Sequence, residues 1–208
     1  MNSQLYAKCK ICNFKKLLYN KNYAYFDKGY YNLNIIGVRA NTGNKVTNLY
    51  DDCLVVIYNT QVGWKRHIYN ITTDPGRSSI KAPSNSKGTA ILVPGQYRGA
   101  YKIDKHRGKY DALCQRNKSV KVYRDNNKDN VYDFKPSSID TGIFGINIHR
   151  SNEHWTRSTV DGYSAGCQVF NSPKEFNAFM TIVKKSAKLF GNCFTYTLIT
   201  EQDIDEVL

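Results

Sequence analysis

Between residues 53 and 200 the apolar residues arrive in short runs separated by turn chemistry, and only once do they take up helical spacing. Short β-branched and aromatic runs bounded by Gly, Pro, Asn and Asp favour strands, so the chain is expected to be mainly β with one strong helix. Residues 53–58 and 64–73 form the first pair, a hairpin across the turn-like Asn59-Thr60-Gln61-Val62-Gly63. Thr73-Asp74-Pro75-Gly76 reads as a turn and 82–88 as a loop, with further strands over 89–93, 97–103, 119–124 and 193–200. Gly142-Ile143-Phe144-Gly145-Ile146-Asn147-Ile148-His149 reads as one buried strand that delivers His149 at its end. The helix is announced by the capping box Ser172-Pro173-Lys174-Glu175, with proline at the first helical position. Phe176, Phe179, Met180, Val183, Ala187 and Phe190 then recur on one face until Gly191 stops it. A short acidic tail, 201–208, follows.

Residues 1–48 are expected to be a basic, tyrosine-rich extension and residues 49–208 the catalytic domain, a division that suits a chain of 208 residues. The Cys9-x-x-Cys12 pair has the spacing of half a zinc site, but no second pair of ligands follows, so the two read as ordinary thiols. Cys53, Cys114 and Cys193, with Cys9, read as small core residues. Lys and Arg outnumber Asp and Glu by 30 to 17, a net charge of +13 that favours anionic partners. Anionic wall polymers, a membrane surface or nucleic acid would all answer to that field. No zinc-finger spacing, helix-turn-helix signal or RNP-like strand accompanies it, so nucleic acid is not the expected partner.

Chemistry concentrates in His149 and, after an intervening loop, Ser164-Ala165-Gly166-Cys167-Gln168. A thiol becomes a useful nucleophile near neutral pH when a base or cation favours its thiolate, and a histidine from a neighbouring segment can provide that. Gly166 lets the backbone turn sharply beside the thiol, and Ser164 offers a hydroxyl able to orient an imidazole. Arg150, Gln168 and His154, the last in the polar loop Ser151-Asn152-Glu153-His154-Trp155, are candidates for substrate contact.

The order His149, gap, Ser164-x-Gly166-Cys167 resembles the signature of the YkuD-type L,D-transpeptidases, cysteine enzymes acting on peptidoglycan stem peptides. The shortened Ser-x-Gly-Cys-Gln form is similar to bacteriophage-type members. The resemblance spans roughly residues 50–200 and is specific only over 142–170. It implies a YkuD-like curved sheet or sandwich, Cys167 as the acylated nucleophile, His149 as its base and Ser164 as the partner orienting that base. It also implies that the Gly166 and Cys167 backbone forms part of the oxyanion hole. Two positions depart from the family pattern: Ala165 stands where many members carry a second histidine, and Gln168-Val169 replaces an apolar residue followed by Arg or Asn. The implied activity is thiol acyl transfer to water or an amine, giving a carboxypeptidase, endopeptidase or transpeptidase, with no cofactor required. The alternative is a virion or wall-binding protein that keeps the scaffold without turnover.

Asp125, Asn127, Asp129, the Val131 carbonyl and Asp133 alternate like the first part of a calcium loop, so a structural calcium is a further expectation. Asn130 and Pro136 stand where such a loop needs Gly and Glu, and an Asp/Asn-rich turn is the competing account. No secretory leader and no apolar run long enough to span a bilayer is seen. The expectation is synthesis in the cytoplasm and action on the wall after release, as a lysin, or as a virion component.

Overall fold

The structure, a computed structural model, describes residues 2–208. In chain order its elements are α1 (Ser3–Ile11), α2 (Phe14–Asn20), β1 (Asn34–Arg39), β2 (Asp52–Thr60), β3 (Gly63–Thr72), α3 (Arg77–Lys81), β4 (Thr89–Leu92) and β5 (Gly95–His106). They continue with β6 (Tyr110–Gln115), β7 (Val120–Asp125), β8 (Asp140–Gly142), β9 (Ile148–Arg150), β10 (Gln168–Phe170), α4 (Pro173–Phe190), β11 (Phe194–Thr200) and α5 (Glu201–Asp205). Strand outweighs helix, as the turn-punctuated apolar runs require. Among the described residues no helix is long and apolar enough to cross a membrane.

Eight strands close into a barrel in the order β1-β11-β5-β6-β9-β10-β3-β2, and β4, β7 and β8 form a separate three-stranded sheet. The pairs β1/β11 and β9/β10 are parallel, the other barrel pairs antiparallel. The expected mainly β fold takes the form of this closed ring. The strand that closes it is β1, which the sequence reading had assigned to an extension.

That boundary at residue 48 therefore cuts a continuous sheet. β2 shows why the first segment belongs to the core. Leu54, Val56 and Tyr58 point into the main cluster with Tyr101, Tyr196 and Phe170. Cys53, Val55 and Ile57 point the other way, against Leu5, Cys9, Cys12, Phe14, Leu17 and Leu18 of the first two helices. A strand buried on both faces reads as an unbroken apolar run, as 53–58 does. Asn2 and Asn13 cap α1 and α2 by accepting from Leu5 N and Lys16 N. Cys9, Cys12, Cys53 and Cys114 are buried thiols, whereas Cys193 is exposed and is not the core residue it was expected to be.

The helix α4 occupies the expected residues, capped by Ser172 and stopped at Gly191 with φ 84°. It lays Phe176, Phe179, Met180 and Val183 into the main core against Phe170 and Tyr69. The acidic tail folds as α5, closed by a Thr200/Asp203 capping box. In the 125–133 loop three of the five expected calcium ligands accept turn hydrogen bonds. Asp125 Oδ2 accepts from Asp133 N, Asn127 Oδ1 from Asp129 N and Asp129 Oδ1 from Val131 N. Among the described residues no three His, Cys, Asp or Glu side chains converge on a metal-sized point.

Candidate active site

The expected single strand over 142–149 is two short ones, β8 and β9, with 143–147 outside any ladder. Gln115, at the end of β6 and fully buried, holds that gap. Its Oε1 accepts from Phe144 N at 3.0 Å, Gly145 N at 2.8 Å and Ile146 N at 3.3 Å. Its Nε2 donates to the carbonyls of Lys118 and Gly142. One amide thus satisfies backbone groups that a strand would have paired.

β9 and β10 run parallel with Gln168 opposite Ile148, Val169 opposite His149 and Phe170 opposite Arg150. Ile148 and Phe170 belong to the main core, and the side chain of Gln168 points the same way. Alternation then puts His149, Val169 and Cys167 on the outer face, with Cys167 one step before β10 and diagonal to His149. The two sequence-identified groups lie on one face of adjacent strands.

His149 is buried, and its Nδ1 lies 2.8 Å from Arg150 O. A carbonyl can only accept, so Nδ1 carries the proton and Nε2 keeps a lone pair. Tyr110 Oη donates to the same carbonyl at 3.1 Å. The orienting group for His149 is therefore the Arg150 backbone. Ser164 Oγ instead donates to Cys167 O at 2.8 Å and accepts from Gly166 N at 3.2 Å, fixing the turn before Cys167. The Gly166 N–H is spent there, which leaves the Cys167 N–H as the open backbone donor of the expected pair. Gly166 sits at φ 116°, and a Cβ on it would lie 2.3 Å from Ala90 O of β4. That turn is pressed against the three-stranded sheet, and α3 holds it through Ser79 Oγ and Gly76 N, both donating to Ser164 O.

Cys167 borders a cavity of about 710 Å³ with Ala90, Ala165, Asn147, Phe144 and the guanidinium-bearing Arg107, Arg116 and Arg124. Its thiol donates weakly to Gly145 O at 3.5 Å. Burial pushes the Cys167 thiol up, opposed by the Asn147 N–H and the charges of Arg107 and Arg116. Burial likewise lowers His149 to about 3, with the neighbouring His106 and Arg107 adding to the depression. Both the thiol and the imidazole rest in their neutral forms.

Of the substrate-contact candidates, none reaches this cavity with its side chain. Gln168 is fully buried, accepting from Tyr196 Oη at 2.8 Å and donating to Gly166 O and Thr73 O. It anchors the 164–167 turn to the barrel interior. The Arg150 guanidinium lies over the Tyr110 ring and pairs with Glu153. His154 stays in the exposed outer loop against Trp155.

Two residues that the sequence did not flag stand in the cavity wall: His106 and Arg107. They belong to the β5–β6 turn, where Arg107 at φ 49° and Gly108 at φ 72° are followed by Lys109 N donating to His106 O. Two consecutive positive φ values mark a tight I′-type hairpin, which normally carries Asn-Gly or Asp-Gly. The His106 and His149 rings are stacked with centroids 3.9 Å apart and planes 19° apart. The only sequence signal for this was Arg-Gly in a hairpin turn, too weak to place a histidine.

No protein-family model, curated protein or solved structure matches this chain.

Proposed function

We propose that this protein is a thiol acyl transferase or hydrolase of peptidoglycan stem peptides, with Cys167 as nucleophile and His149 as base. The observation that carries the reading is the shared outer face of β9 and β10, with His149 fixed by Arg150 O as the Nδ1–H tautomer. A base needs its free lone pair on the side of the proton it takes, and that tautomer supplies one at Nε2. In the reaction the Cys167 proton passes to His149 as sulfur bonds to the acyl carbon. The carbonyl pair moves to oxygen, then returns as the amide C–N bond breaks and His149 gives the proton to the leaving amine. Water or an amine resolves the thioester. Arg107 gives the cavity wall a positive charge suited to acyl donors that carry carboxylates, while Arg116 and Arg124 are paired with Asp104 and Asp140.

The depressed His149 and raised Cys167 favour one competing reading, a wall-binding or virion protein without turnover, because they keep the thiolate scarce at rest. Intact-protein mass spectrometry after incubation with stem tetrapeptides, disaccharide-peptides and a carbapenem separates the two. An acyl adduct or shortened peptide that disappears in Cys167→Ala is the expected result. Absence of both, from protein whose Cys167 still alkylates, would overturn the enzymatic reading.

A further inference from the structure

The turn before Cys167 offers few donors for acyl transfer, because the Gly166 N–H is already bonded to Ser164 Oγ. The Cys167 N–H is left to receive the developing oxyanion, and one donor is a thin provision for a charge formed in a partly buried cavity. His106 stands in the wall of that cavity, delivered by the β5–β6 hairpin.

The hydrogen bonds fix which of its nitrogens can donate. Asn147 Oδ1 accepts from Gln115 N at 3.0 Å, which turns the Asn147 amide so that Nδ2 faces His106. Asn147 Nδ2 lies 3.1 Å from His106 Nδ1, so Nδ1 accepts and the proton of the neutral ring resides on Nε2. No described protein group accepts from that Nε2. Burial first, then the charges of Arg107 and Arg116, lowers His106 to about 4, so it stays neutral near pH 7. The stacked histidines are thus locked in opposite tautomers: His149 presents a lone pair at Nε2, and His106 presents a proton there.

We infer that His106 is a second catalytic histidine of this site, donating its Nε2–H to the acyl oxygen as it becomes an oxyanion. This rests on Cys167 accepting an acyl group. His149 takes the thiol proton and the C=O pair moves to oxygen. That oxygen is then held by the Cys167 N–H and the His106 Nε2–H, and neither donor gives its proton away. When the tetrahedral species collapses, the leaving group departs with the proton from His149, and His106 is unchanged.

The test pairs a variant-free measurement with kinetics. Nitrogen-15 imidazole NMR of the wild-type protein at neutral pH should report His106 protonated on Nε2 and His149 on Nδ1. The same tautomer at both, or a charged His106, would overturn the inference. Acylation by an N-acetylglycyl thioester should fall about 10²-fold or more in His106→Phe, which keeps a ring to stack on His149 but has no donor. His106→Gln, whose amide can donate from a similar position, should recover most of it. Alkylation of Cys167 by iodoacetamide forms no oxyanion and should stay within about threefold of wild type in both variants. Equal acylation in wild type and His106→Phe, or acylation and alkylation falling together, would overturn the donor role. Thioester acylation that needs His106, with stem peptides inert, would sustain it and sink the peptidoglycan assignment. A Cys167 that alkylates yet accepts no acyl group from either donor would overturn both.

Discussion

The β2–β3 hairpin and the segment from β8 to β10 are built by opposite means. In the hairpin the register runs without a break from Asp52 opposite Ile71 to Thr60 opposite Gly63, and main-chain bonds do the holding. In the site segment, β6 meets β9 only at Leu113 and Ile148, and side chains take over the backbone's hydrogen bonds. Gln115 serves three N–H groups, Asn147 links Gln115 to His106, and Ser164 closes the turn before Cys167. Strand alternation puts Cys167 and His149 on one face of β9 and β10, but a regular ladder would pair the main-chain N–H groups beside them. The irregular backbone keeps the Cys167 N–H open, and polar side chains satisfy the groups that the ladder gives up.

The strongest way to break this contrast is Gln115→Leu. It leaves one buried and two part-buried N–H groups without an acceptor and should cost about 3 kcal/mol, read by urea denaturation. An unfolding curve indistinguishable from wild type would mean that the segment is held by something else. Gly166→Ala comes next, at roughly 2–3 kcal/mol, because the new Cβ meets the Ala90 carbonyl at a positive φ. Its melting temperature checks it.

Acid should find the same region. His106 and His149 have folded values of about 4 and about 3 against an ordinary 6.5, so the unfolded chain takes up protons first. Their contribution is intact above about pH 6.5 and is lost as pH falls towards 3–4. The acid-side slope of unfolding free energy should be shallower in His149→Phe, and neither ring should titrate by NMR between pH 8 and 5. At the alkaline end, Cys167 alkylation should keep rising through the ordinary thiol range, with no plateau at neutral pH of the kind a thiolate–imidazolium pair gives.

Two smaller changes sharpen the comparison. Arg107→Asn suits the left-handed turn better and should stabilise by about 0.5–1 kcal/mol while slowing acylation by carboxylate-bearing donors. Lys65→Ala, on the exposed end of β3, should move stability by less than about 0.5 kcal/mol. Equal sensitivity at Lys65 and Gln115 would erase the distinction.

These regions also differ in how far sequence reveals them. The hairpin and α4 were legible because apolar period, turn residues and caps agree along a short stretch. β1 was not, since Gly37 interrupts Ile35, Ile36 and Val38, and the reason for that glycine lies elsewhere in the chain: a Cβ would lie 1.9 Å from Tyr196 Oη. β6 was missed because Tyr110-Asp111-Ala112-Leu113-Cys114-Gln115 has little strand character of its own. In the site, the motif showed Cys167, His149 and the Gly166 turn. The tasks of Ser164 and Gln168 were misread, since a hydroxyl or amide can serve many partners and local sequence does not choose among them. His106 and Gln115 were invisible, each acting on residues dozens of positions away.

The parallel pairing of β9 and β10 obliges the chain to cross over between them, so His149 and Cys167 sit at the two ends of a single connecting loop. That loop is pinned along its way: Val160 N donates to Asn48 O, Asn48 Nδ2 to Asp161 Oδ1, and Arg157 N to Asn171 O. Its tip at 153–156 remains exposed. Lengthening a loop between fixed anchors costs only a slowly growing entropy. A peptide grafted at the tip would leave His149 and Cys167 in place, so new recognition elements could be exchanged there as a cassette while the face beneath stays the same.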